Sequence, residues 1–344
     1  MNKSILILTI ATLFSFPAVA QSGGAQSIGQ RTLFFKDASR NRPVTTEVWY
    51  PTTDTLAAKD KSFSPFIRAY TVRNGKVSDK KMPLIFISHG TGGGRLTLEW
   101  FADKLAQNGY LVAAVDHFGN TFDNPIAEDF VEPWRRPLDI SYALTAMLKD
   151  TLFGNRIDTQ HIGAAGFSIG GYTVLALAGA KLDLDALKAY FKTEKGKREL
   201  DIPEFPGLAN VLNQEAVMKS FQNSPPLNDH RIKAFFAICP AVGQGFTSKD
   251  QFKLIDKPVY IVGAESDSIA PFKTNALHYH ELINKSKFEL VKGKVGHYVF
   301  LNEAIDDVKK QAPIFFTDDP SVNRHEVHER VAQRAVDFFN DYFK

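Results

Sequence analysis

A serine flanked by glycines, at the end of an apolar run, constrains the fold of this chain more than any other feature. Residues 162–167 show the pattern of a buried strand, and residues 169–180 show that of a helix of small residues. Ser168 stands between them in the pattern Gly-x-Ser-x-Gly. Glycine two positions away on either side lets the strand and the helix approach closely around a sharp turn. This setting predicts a nucleophile elbow, in which a strained backbone lifts the serine hydroxyl above the edge of a sheet.

The rest of the chain supplies the other strands and helices of such a sheet. Apolar runs alternate with helical patterns in the order expected of parallel strands with crossover helices, after an opening hairpin. The predicted strands cover residues 31–36, 44–50, 84–88, 110–115, 162–167, 232–238, 259–262 and 288–291. The predicted helices cover residues 96–107, 137–148, 169–180 and 322–343. We therefore predict an α/β protein with a mostly parallel central sheet and flanking helices.

A long insert, residues 182–229, interrupts this alternation. It is polar and contains several prolines, and helical patterns recur in it only at residues 184–191 and 211–221. A stretch of this length is too long for a plain connection between a helix and the next strand. We interpret it as a helical cap over one end of the sheet, within a single domain that covers residues 21–344.

The first twenty residues predict a secretory signal peptide. A basic start at Lys3 is followed by an apolar run up to Phe16, and the segment closes with Ala18-Val19-Ala20. Cleavage is expected after Ala20, which would place the mature protein in the periplasm or outside the cell. No later stretch approaches the roughly 20 apolar residues that a membrane-spanning helix needs.

Composition and charge narrow the range of partners. The formal net charge is +3 over 344 residues, which gives no reason to propose nucleic acid or an acidic surface as a partner. The one cysteine, Cys239, cannot form an internal disulfide. Its place at the end of an apolar run indicates a buried small hydrophobic residue. The oligomeric state is left open.

A serine nucleophile needs a histidine as base and an acid that orients it, and in folds of this kind the chain order is serine, acid, histidine. Two acids, Glu265 and Asp267, follow the strand predicted over residues 259–262. We prefer Asp267, because it lies just before a turn proline, and keep Glu265 as the alternative. His297 follows the last predicted strand and is preceded by a glycine, which makes it the preferred base.

The remaining histidines fit a catalytic role less well. His278 and His280 fall in a helical pattern, and His325 and His328 lie on the terminal helix. The spacing of His325 and His328 suits a metal ion, but the sequence offers no third ligand near them, so no metal site is predicted.

A glycine-rich loop follows the strand predicted over residues 84–88. Its sequence is His89-Gly90-Thr91-Gly92-Gly93-Gly94. Such a loop can direct a backbone N–H toward the nucleophile, and we assign that role to Thr91. Together with the N–H of Ile169, it would form an oxyanion hole. A phosphate-binding loop is excluded, because the lysine and the serine or threonine of a P-loop are missing.

Together, these motifs resemble the bacterial α/β-hydrolases that are related to dienelactone hydrolase and to platelet-activating-factor acetylhydrolase. The resemblance covers roughly residues 31–301. Its marks are Glu47-Val48-Trp49-Tyr50-Pro51, Ser88-His89-Gly90-Thr91-Gly92-Gly93, Ala114-Val115-Asp116-His117, Gly166 to Gly171, and Gly296-His297. It implies an α/β-hydrolase fold, catalysis by serine, aspartate and histidine, and no cofactor.

The chain departs from these relatives at two positions. Dienelactone hydrolase uses a cysteine nucleophile where this chain has Ser168, so a dienelactone substrate is not expected. The acetylhydrolases of animals carry their acid after the preceding strand, which here ends in Ile238-Cys239-Pro240 without a carboxylate. Phospholipid specificity therefore does not transfer directly.

The residues favour hydrolysis of a carboxylic ester, on a small-molecule or lipid-like substrate. Ser168 would attack the carbonyl, His297 would transfer the proton, and Asp267 would hold the imidazole in place. An acyltransferase or a peptidase could use the same triad, and a product assay with competing alcohols or peptides would distinguish them. A non-catalytic binding protein on this fold is a third alternative, against which the three intact residues argue.

An aromatic-rich loop follows the strand predicted over residues 110–115. It contains Phe118, Phe122, Phe130 and Trp134. It leaves the sheet at the edge where ligands bind in open α/β sheets, so these rings and the cap are candidates for an apolar acyl pocket. The alternative is that the rings only pack the loop down. We expect a pocket closed by the cap to favour esters with short acyl chains, from acetate up to butyrate, over esters of octanoate and longer acids.

Overall fold

A nine-stranded sheet forms the centre of the structure, a computed structural model that describes residues 27–343. In chain order its strands are β1 (Ser27–Asp37), β2 (Arg42–Thr52), β3 (Val72–Arg73), β4 (Met82–Ser88), β5 (Leu111–Val115), β6 (Ile157–Phe167), β7 (Ala234–Ile238), β8 (Val259–Ala264) and β9 (Lys287–Val291). Their order across the sheet is β9-β8-β7-β6-β4-β5-β2-β1-β3. β2 runs antiparallel to both neighbours, and every other neighbouring pair is parallel. The predicted α/β class with a mostly parallel sheet is confirmed.

Helices cover both faces of this sheet. In chain order, the α-helices of the described residues are α1 (Glu99–Gln107), α2 (Ala127–Val131), α3 (Arg135–Lys149), α4 (Ile169–Ala178), α5 (Leu184–Phe191), α6 (Glu194–Leu200), α7 (Ala209–Leu212), α8 (Glu215–Gln222), α9 (Ala276–Leu282), α10 (Asp306–Gln311), α11 (Pro313–Phe316) and α12 (Arg324–Phe343). The four helices predicted outside the insert correspond to α1, α3, α4 and α12. Short two-residue ladders join Phe66–Ile67 to Glu303–Ala304, and Asn120–Thr121 to Asn124–Pro125.

Alternation along the strands builds the core on both faces of the sheet. In β4, Leu84 and Phe86 join the cluster under α3, α4 and α9, whereas Ile85 and Ile87 join the cluster under α1 and α12. None of these four side chains is more than 2% exposed. A strand that is apolar at successive positions is the pattern of a strand covered by helices on both sides, because successive side chains point to opposite faces.

The structure differs from the prediction mainly at the boundaries of elements. β6 begins at Ile157 instead of residue 162, and α12 begins at Arg324 instead of residue 322. The helix predicted over residues 211–221 is two helices, α7 and α8, which are separated at Asn213 and Gln214. β3 has only two residues, too few for an alternating pattern in the sequence.

The insert contains α5 to α8 and has a hydrophobic cluster of its own. Leu187, Leu212 and Val217 from the insert pack with Phe130 and Trp134, which come from the segment before α3. The insert is therefore attached to the body of the protein through the aromatic-rich loop. Its interpretation as a cap that closes over the sheet stays a prediction.

The predicted signal peptide, residues 1–20, lies outside the described residues and stays a prediction. Within residues 27–343, none of the helices is both long enough and apolar enough to cross a membrane. The 20-residue helix α12 carries its buried residues on one face, in keeping with its packing against the sheet.

Candidate active site

The predicted site residues gather at one edge of the sheet. The strands β4, β6, β7, β8 and β9 are parallel, so their carboxyl ends share this edge. The loop after β4 contributes Thr91, and the turn after β6 contributes Ser168. The loop after β8 contributes Asp267, and the loop after β9 contributes His297, which opens a short 3₁₀ helix.

The turn at Ser168 has a strained backbone. Its dihedral angles are φ 58° and ψ −120°, and a residue other than glycine adopts such a conformation at a cost of about 1–3 kcal/mol. Two backbone hydrogen bonds hold it: the Ser168 N–H donates to the Ile238 carbonyl at 2.9 Å, and the Ser168 carbonyl accepts from the Ala241 N–H at 3.0 Å. The end of β7 therefore fixes the conformation of the turn.

The glycines on either side of Ser168 are required by close backbone approach. A Cβ atom on Gly170 would lie 2.7 Å from the His89 carbonyl oxygen and would overlap the carbonyl of Ser88. A Cβ atom on Gly166 would overlap the backbone of Gly170. The strand–turn–helix geometry expected from Gly-x-Ser-x-Gly is present for this steric reason.

Ser168, His297 and Asp267 form a continuous hydrogen-bonded chain. His297 Nε2 lies 2.9 Å from Ser168 Oγ, and His297 Nδ1 lies 2.6 Å from Asp267 Oδ2. Asp267 Oδ1 accepts from the backbone N–H groups of Ile269, at 2.9 Å, and Ala270, at 2.7 Å. With the Nδ1 proton donated to the carboxylate, Nε2 is left to accept the proton of the serine hydroxyl.

The second candidate acid, Glu265, does not join this chain. It is exposed, and its Oε2 atom accepts from the backbone N–H of Gly293 at 2.6 Å. Of the two acids that the sequence left open, Asp267 is the one that the structure brings to His297.

The backbone N–H groups of Thr91 and Ile169 have no acceptor within residues 27–343. Ile169 is the first residue of α4, and a helix provides no internal partner for the N–H at that position. Thr91, Ser168 and Ile169 line the same cavity. Two free N–H groups in this place fit the geometry of an oxyanion hole, and that role stays a prediction.

A buried arginine holds the glycine-rich loop. Arg136 is 1% exposed and donates to the carbonyl of His89, to Asn120 Oδ1 at 3.2 Å and to Thr173 Oγ1 at 3.3 Å. Asn120 Oδ1 also accepts from the N–H of Gly92 at 3.1 Å. Burial lowers the pKa of Arg136 to about 9, which leaves it charged at neutral pH. The loop next to Ser168 is thus positioned by one buried cation.

A second serine–histidine–aspartate chain lies beneath this loop. His117 joins Ser88 Oγ, 2.9 Å from its Nε2, to Asp139 Oδ2, 3.0 Å from its Nδ1. All three side chains are completely buried, and Asp139 also pairs with Arg42 at 3.1 Å. Burial lowers the pKa of His117 well below its usual range, so it stays neutral. Because no substrate can reach Ser88, we assign this chain a structural role.

A cavity of about 100 Å³ lies beside Ser168. Most of its lining is apolar and comes from the insert and the aromatic-rich loop. The apolar residues include Phe130, Leu187, Leu200, Leu208, Leu212 and Val242. Of the four aromatic residues proposed for an acyl pocket, Phe130 is the one that lines this cavity, and its ring packs 4.8 Å from that of Phe205.

The other three aromatic residues have different environments, which corrects the expectation from the sequence. Phe122 is 79% exposed. The Phe118 ring packs against Arg42, whose Cζ atom lies 5.6 Å from the ring centroid. Trp134 is buried against the insert: its ring lies 5.0 Å from that of Phe221, and its indole N–H donates to Ser220 Oγ at 3.2 Å. The Trp134 ring therefore packs against the insert.

Two carboxyl groups, Glu199 and Glu204, interrupt the apolar lining. Both oxygens of Glu199 are bonded: Oε1 accepts from the Tyr190 hydroxyl at 2.9 Å, and Oε2 accepts from Gln244 Nε2 at 2.6 Å. Glu204 Oε1 accepts from the Tyr298 hydroxyl at 2.9 Å. Neither residue could be singled out from the sequence, because both lie in the polar insert, where one more glutamate carries no information.

Cys239 is buried, as predicted, but its neighbours were not foreseen. Its thiol lies beside the proposed triad: the ligand atoms of Cys239, Asp267 and His297 all lie within 4.8 Å of one another. Such a set could hold a soft metal ion, although Asp267 and His297 already satisfy each other by hydrogen bonding. The pairing of β7 with β8 is the feature that brings Cys239 to the acid.

The two histidines of α12 do not form a ligand pair. His328 Nε2 donates to the Val299 carbonyl at 2.6 Å, and its ring stacks on Trp100 at 4.0 Å. His325 instead lies 3.6 Å from a carboxylate oxygen of Glu303. His328 therefore secures the loop that carries His297.

Comparison with known proteins gives partial matches in sequence. The family model of platelet-activating factor acetylhydrolase, isoform II, matches residues 61–122. Cutinase est2 of Thermobifida alba is 30% identical over 152 residues, which are 41% of this chain and 47% of that protein. Cutinase est1 of the same organism is 33% identical over 104 residues, which are 30% of this chain and 32% of that protein. The chain spans less than half the length of these curated relatives.

The match in three dimensions covers nearly the whole chain. A ferulic acid esterase from Streptomyces cinnamoneus superposes on 94% of this chain and 92% of its own, with a TM-score of 0.61 and 19% identity. The chain has the α/β-hydrolase fold. The predicted relationship to platelet-activating-factor acetylhydrolase is confirmed by the family match, which includes the glycine-rich loop and β5. The relationship to dienelactone hydrolase stays a prediction.

Proposed function

We propose that this protein hydrolyses carboxylic esters with Ser168 as its nucleophile. The hydrogen-bonded chain from Ser168 through His297 to Asp267 is the observation that carries the proposal. His297 takes the serine proton as Ser168 attacks the carbonyl carbon, and then returns it to the departing alcohol. Water hydrolyses the acyl-enzyme by the same proton transfers. Asp267 keeps the imidazole in the required tautomer and stabilises its charged form.

The N–H groups of Thr91 and Ile169 complete the proposed mechanism. The carbonyl oxygen gains negative charge when Ser168 attacks, and two preorganised donors would stabilise that charge in the transition state. Arg136 supports this arrangement indirectly through its bond to the carbonyl of His89. The structural likeness to a ferulic acid esterase and the partial similarity to cutinases support an ester as the bond that is cleaved.

Covalent labelling tests the nucleophile. A fluorophosphonate probe should label the wild-type protein, and the change Ser168→Ala should abolish labelling and lower ester hydrolysis by several orders of magnitude. The matched control is Ser88→Ala, which removes the serine of the buried second chain and should leave labelling at Ser168. Labelling that persists in Ser168→Ala would contradict the proposal.

We further propose that the insert limits the length of the acyl chain. The cavity beside Ser168 is small, and Leu187, Leu208 and Leu212 from the insert form part of its lining. A longer acyl chain must displace these side chains, whereas each methylene that fits gains only about 0.8 kcal/mol. In a series of 4-nitrophenyl esters, acetate to butyrate should therefore be cleaved faster than octanoate. A rate that rises steadily through decanoate would overturn this limit.

A further inference from the structure

Glu204 lines the cavity that Ser168 also lines, and one of its carboxyl oxygens is unpaired. It lies in the connection between α6 and α7 and lines the same cavity as Ser168 and Thr91. Its Oε2 atom is buried and has no hydrogen-bond partner in the described part of the chain. Nearly all buried polar groups in folded proteins have a partner, so an exception at the wall of a binding cavity calls for a ligand that supplies the missing donor.

Two contacts position Glu204 in the wall of the cavity. The Tyr298 hydroxyl binds Oε1 and so orients the carboxyl group. On the other side, a Cβ atom built on Gly92 would lie 3.3 Å from Glu204 Cβ, which places Glu204 against the glycine-rich loop, one residue from Thr91. Glu204 therefore stands beside the glycine-rich loop that contains Thr91.

Charge narrows the class of ligand. No lysine or arginine lines this cavity among residues 27–343, so the protein provides no cation for Glu204. Burial raises the pKa of Glu204, as expected for a carboxyl group without such a partner. An anionic substituent would be repelled there once Glu204 ionises, and a purely hydrocarbon one would leave Oε2 unpaired.

We propose that Glu204 selects esters that carry a hydrogen-bond donor, a hydroxyl or an ammonium group, within a few bonds of the scissile carbonyl. This inference rests on the proposed function, because it assigns a substrate class to the same site. The donor binds Oε2 while Tyr298 keeps Oε1, and the hydrocarbon part of the substrate packs against Phe130 and Leu208.

Glu199 provides a matched control. It is also a glutamate of the insert and lines the same cavity, but both of its oxygens already accept hydrogen bonds from Tyr190 and Gln244. If an unpaired oxygen is what matters, then changes at Glu199 and Glu204 should have different effects on substrate preference. Glu199 also has a cation nearby, since Lys195 Nζ lies 3.8 Å from its Oε1, so it represents a carboxyl group whose partners are already present.

The test compares three 4-nitrophenyl esters that differ at one atom: butyrate, 3-hydroxybutyrate and 3-aminobutyrate. The wild type should show a kcat/KM about tenfold higher for the two substituted esters than for butyrate, the usual effect of one buried hydrogen bond. Glu204→Leu should abolish both preferences. Glu204→Gln should lower the preference for the amino ester more than that for the hydroxy ester, because the amide keeps a hydrogen-bonding group but loses the negative charge that attracts the ammonium group. Glu199→Gln should keep both preferences.

Fluorophosphonate labelling of each variant separates the possible failures. A wild type that is neither labelled nor active on any of the three esters would refute the proposed function itself. A wild type that is labelled and cleaves all three esters equally would refute only the selection by Glu204 and would leave the proposed function intact. A labelled Glu204→Leu variant that keeps the preferences would have the same meaning. Should Glu204→Leu fail to fold, the near-isosteric Glu204→Gln variant on the amino ester decides the question.

Discussion

At the residue scale, the acid of the proposed triad offers the sharpest prediction. Asp267 accepts from His297 Nδ1, whereas Glu265 accepts from the backbone of Gly293. An asparagine at position 267 would stabilise the wrong tautomer of His297, so Asp267→Asn should reduce kcat on the order of 10⁴-fold. Steady-state kinetics on 4-nitrophenyl butyrate measures this. Glu265→Gln should change the rate little, and the reverse ranking would assign the acid to Glu265.

These residues also mark how far the sequence could predict the site. Ser168, Asp267 and His297 could be found because each follows a recognisable strand, and because parallel strands end at a common edge. Cys239 and Glu204 could not. The first reaches Asp267 only through the pairing of β7 with β8, and the second reaches the cavity only through the packing of the insert. Neither contact leaves a periodic or local pattern in the sequence.

At the scale of elements, the start of α4 depends on the absence of a side chain at Gly170. A methyl group there would overlap the carbonyl of Ser88 and would push α4 away from β4. We expect Gly170→Ala to destabilise the protein by several kcal/mol, which urea unfolding measures. The same variant should lose fluorophosphonate labelling, which is detected on a gel. Gly296→Ala is the control: although it adjoins His297, a Cβ there meets nothing within 4 Å, so stability should hardly change. Equal losses in both variants would contradict this account.

The elements themselves were more predictable than their ends and their roles. Apolar runs identified every strand of the main sheet except β3, which is too short to show one. The break between α7 and α8 escaped detection because Asn213 and Gln214 do not interrupt the apolar spacing around them. Phe122 and Trp134 were equivalent in the sequence, yet one is exposed and the other is buried against the insert. Tertiary packing decides such cases.

At the scale of the whole molecule, two buried acids on α1 influence how stability depends on pH. Glu99 and Asp103 are nearly inaccessible to solvent, and burial raises the pKa of each to about 7. Unfolded carboxyl groups titrate near pH 4, so between about pH 4 and pH 7 the folded state binds more protons. Their contribution to stability is therefore full at low pH and is lost as the pH rises through about 7.

The double change Glu99→Gln and Asp103→Asn should remove this contribution. The free energy of unfolding of the variant minus that of the wild type should therefore be larger at pH 8 than at pH 5. The expected increase is on the order of a few kcal/mol. Urea midpoints at the two pH values measure the effect. His89 and His117 act in the opposite sense, because burial lowers their pKa and costs stability as the pH falls below about 6.5. They are unchanged in the variant, so an unaltered difference between the two pH values would contradict the assignment to the acids.

The single cysteine has a practical consequence for measuring motion. Cys239 is 1% exposed and lies at the end of β7, between the turn at Ser168 and the acid Asp267. Burial also raises the pKa of its thiol, so the closed protein offers neither access nor thiolate to an alkylating reagent. Modification in native buffer can proceed only through molecules in which this edge of the sheet has come apart. The rate of alkylation of Cys239 therefore reports how often this edge of the sheet opens beneath Ser168. No engineered label is needed for the measurement.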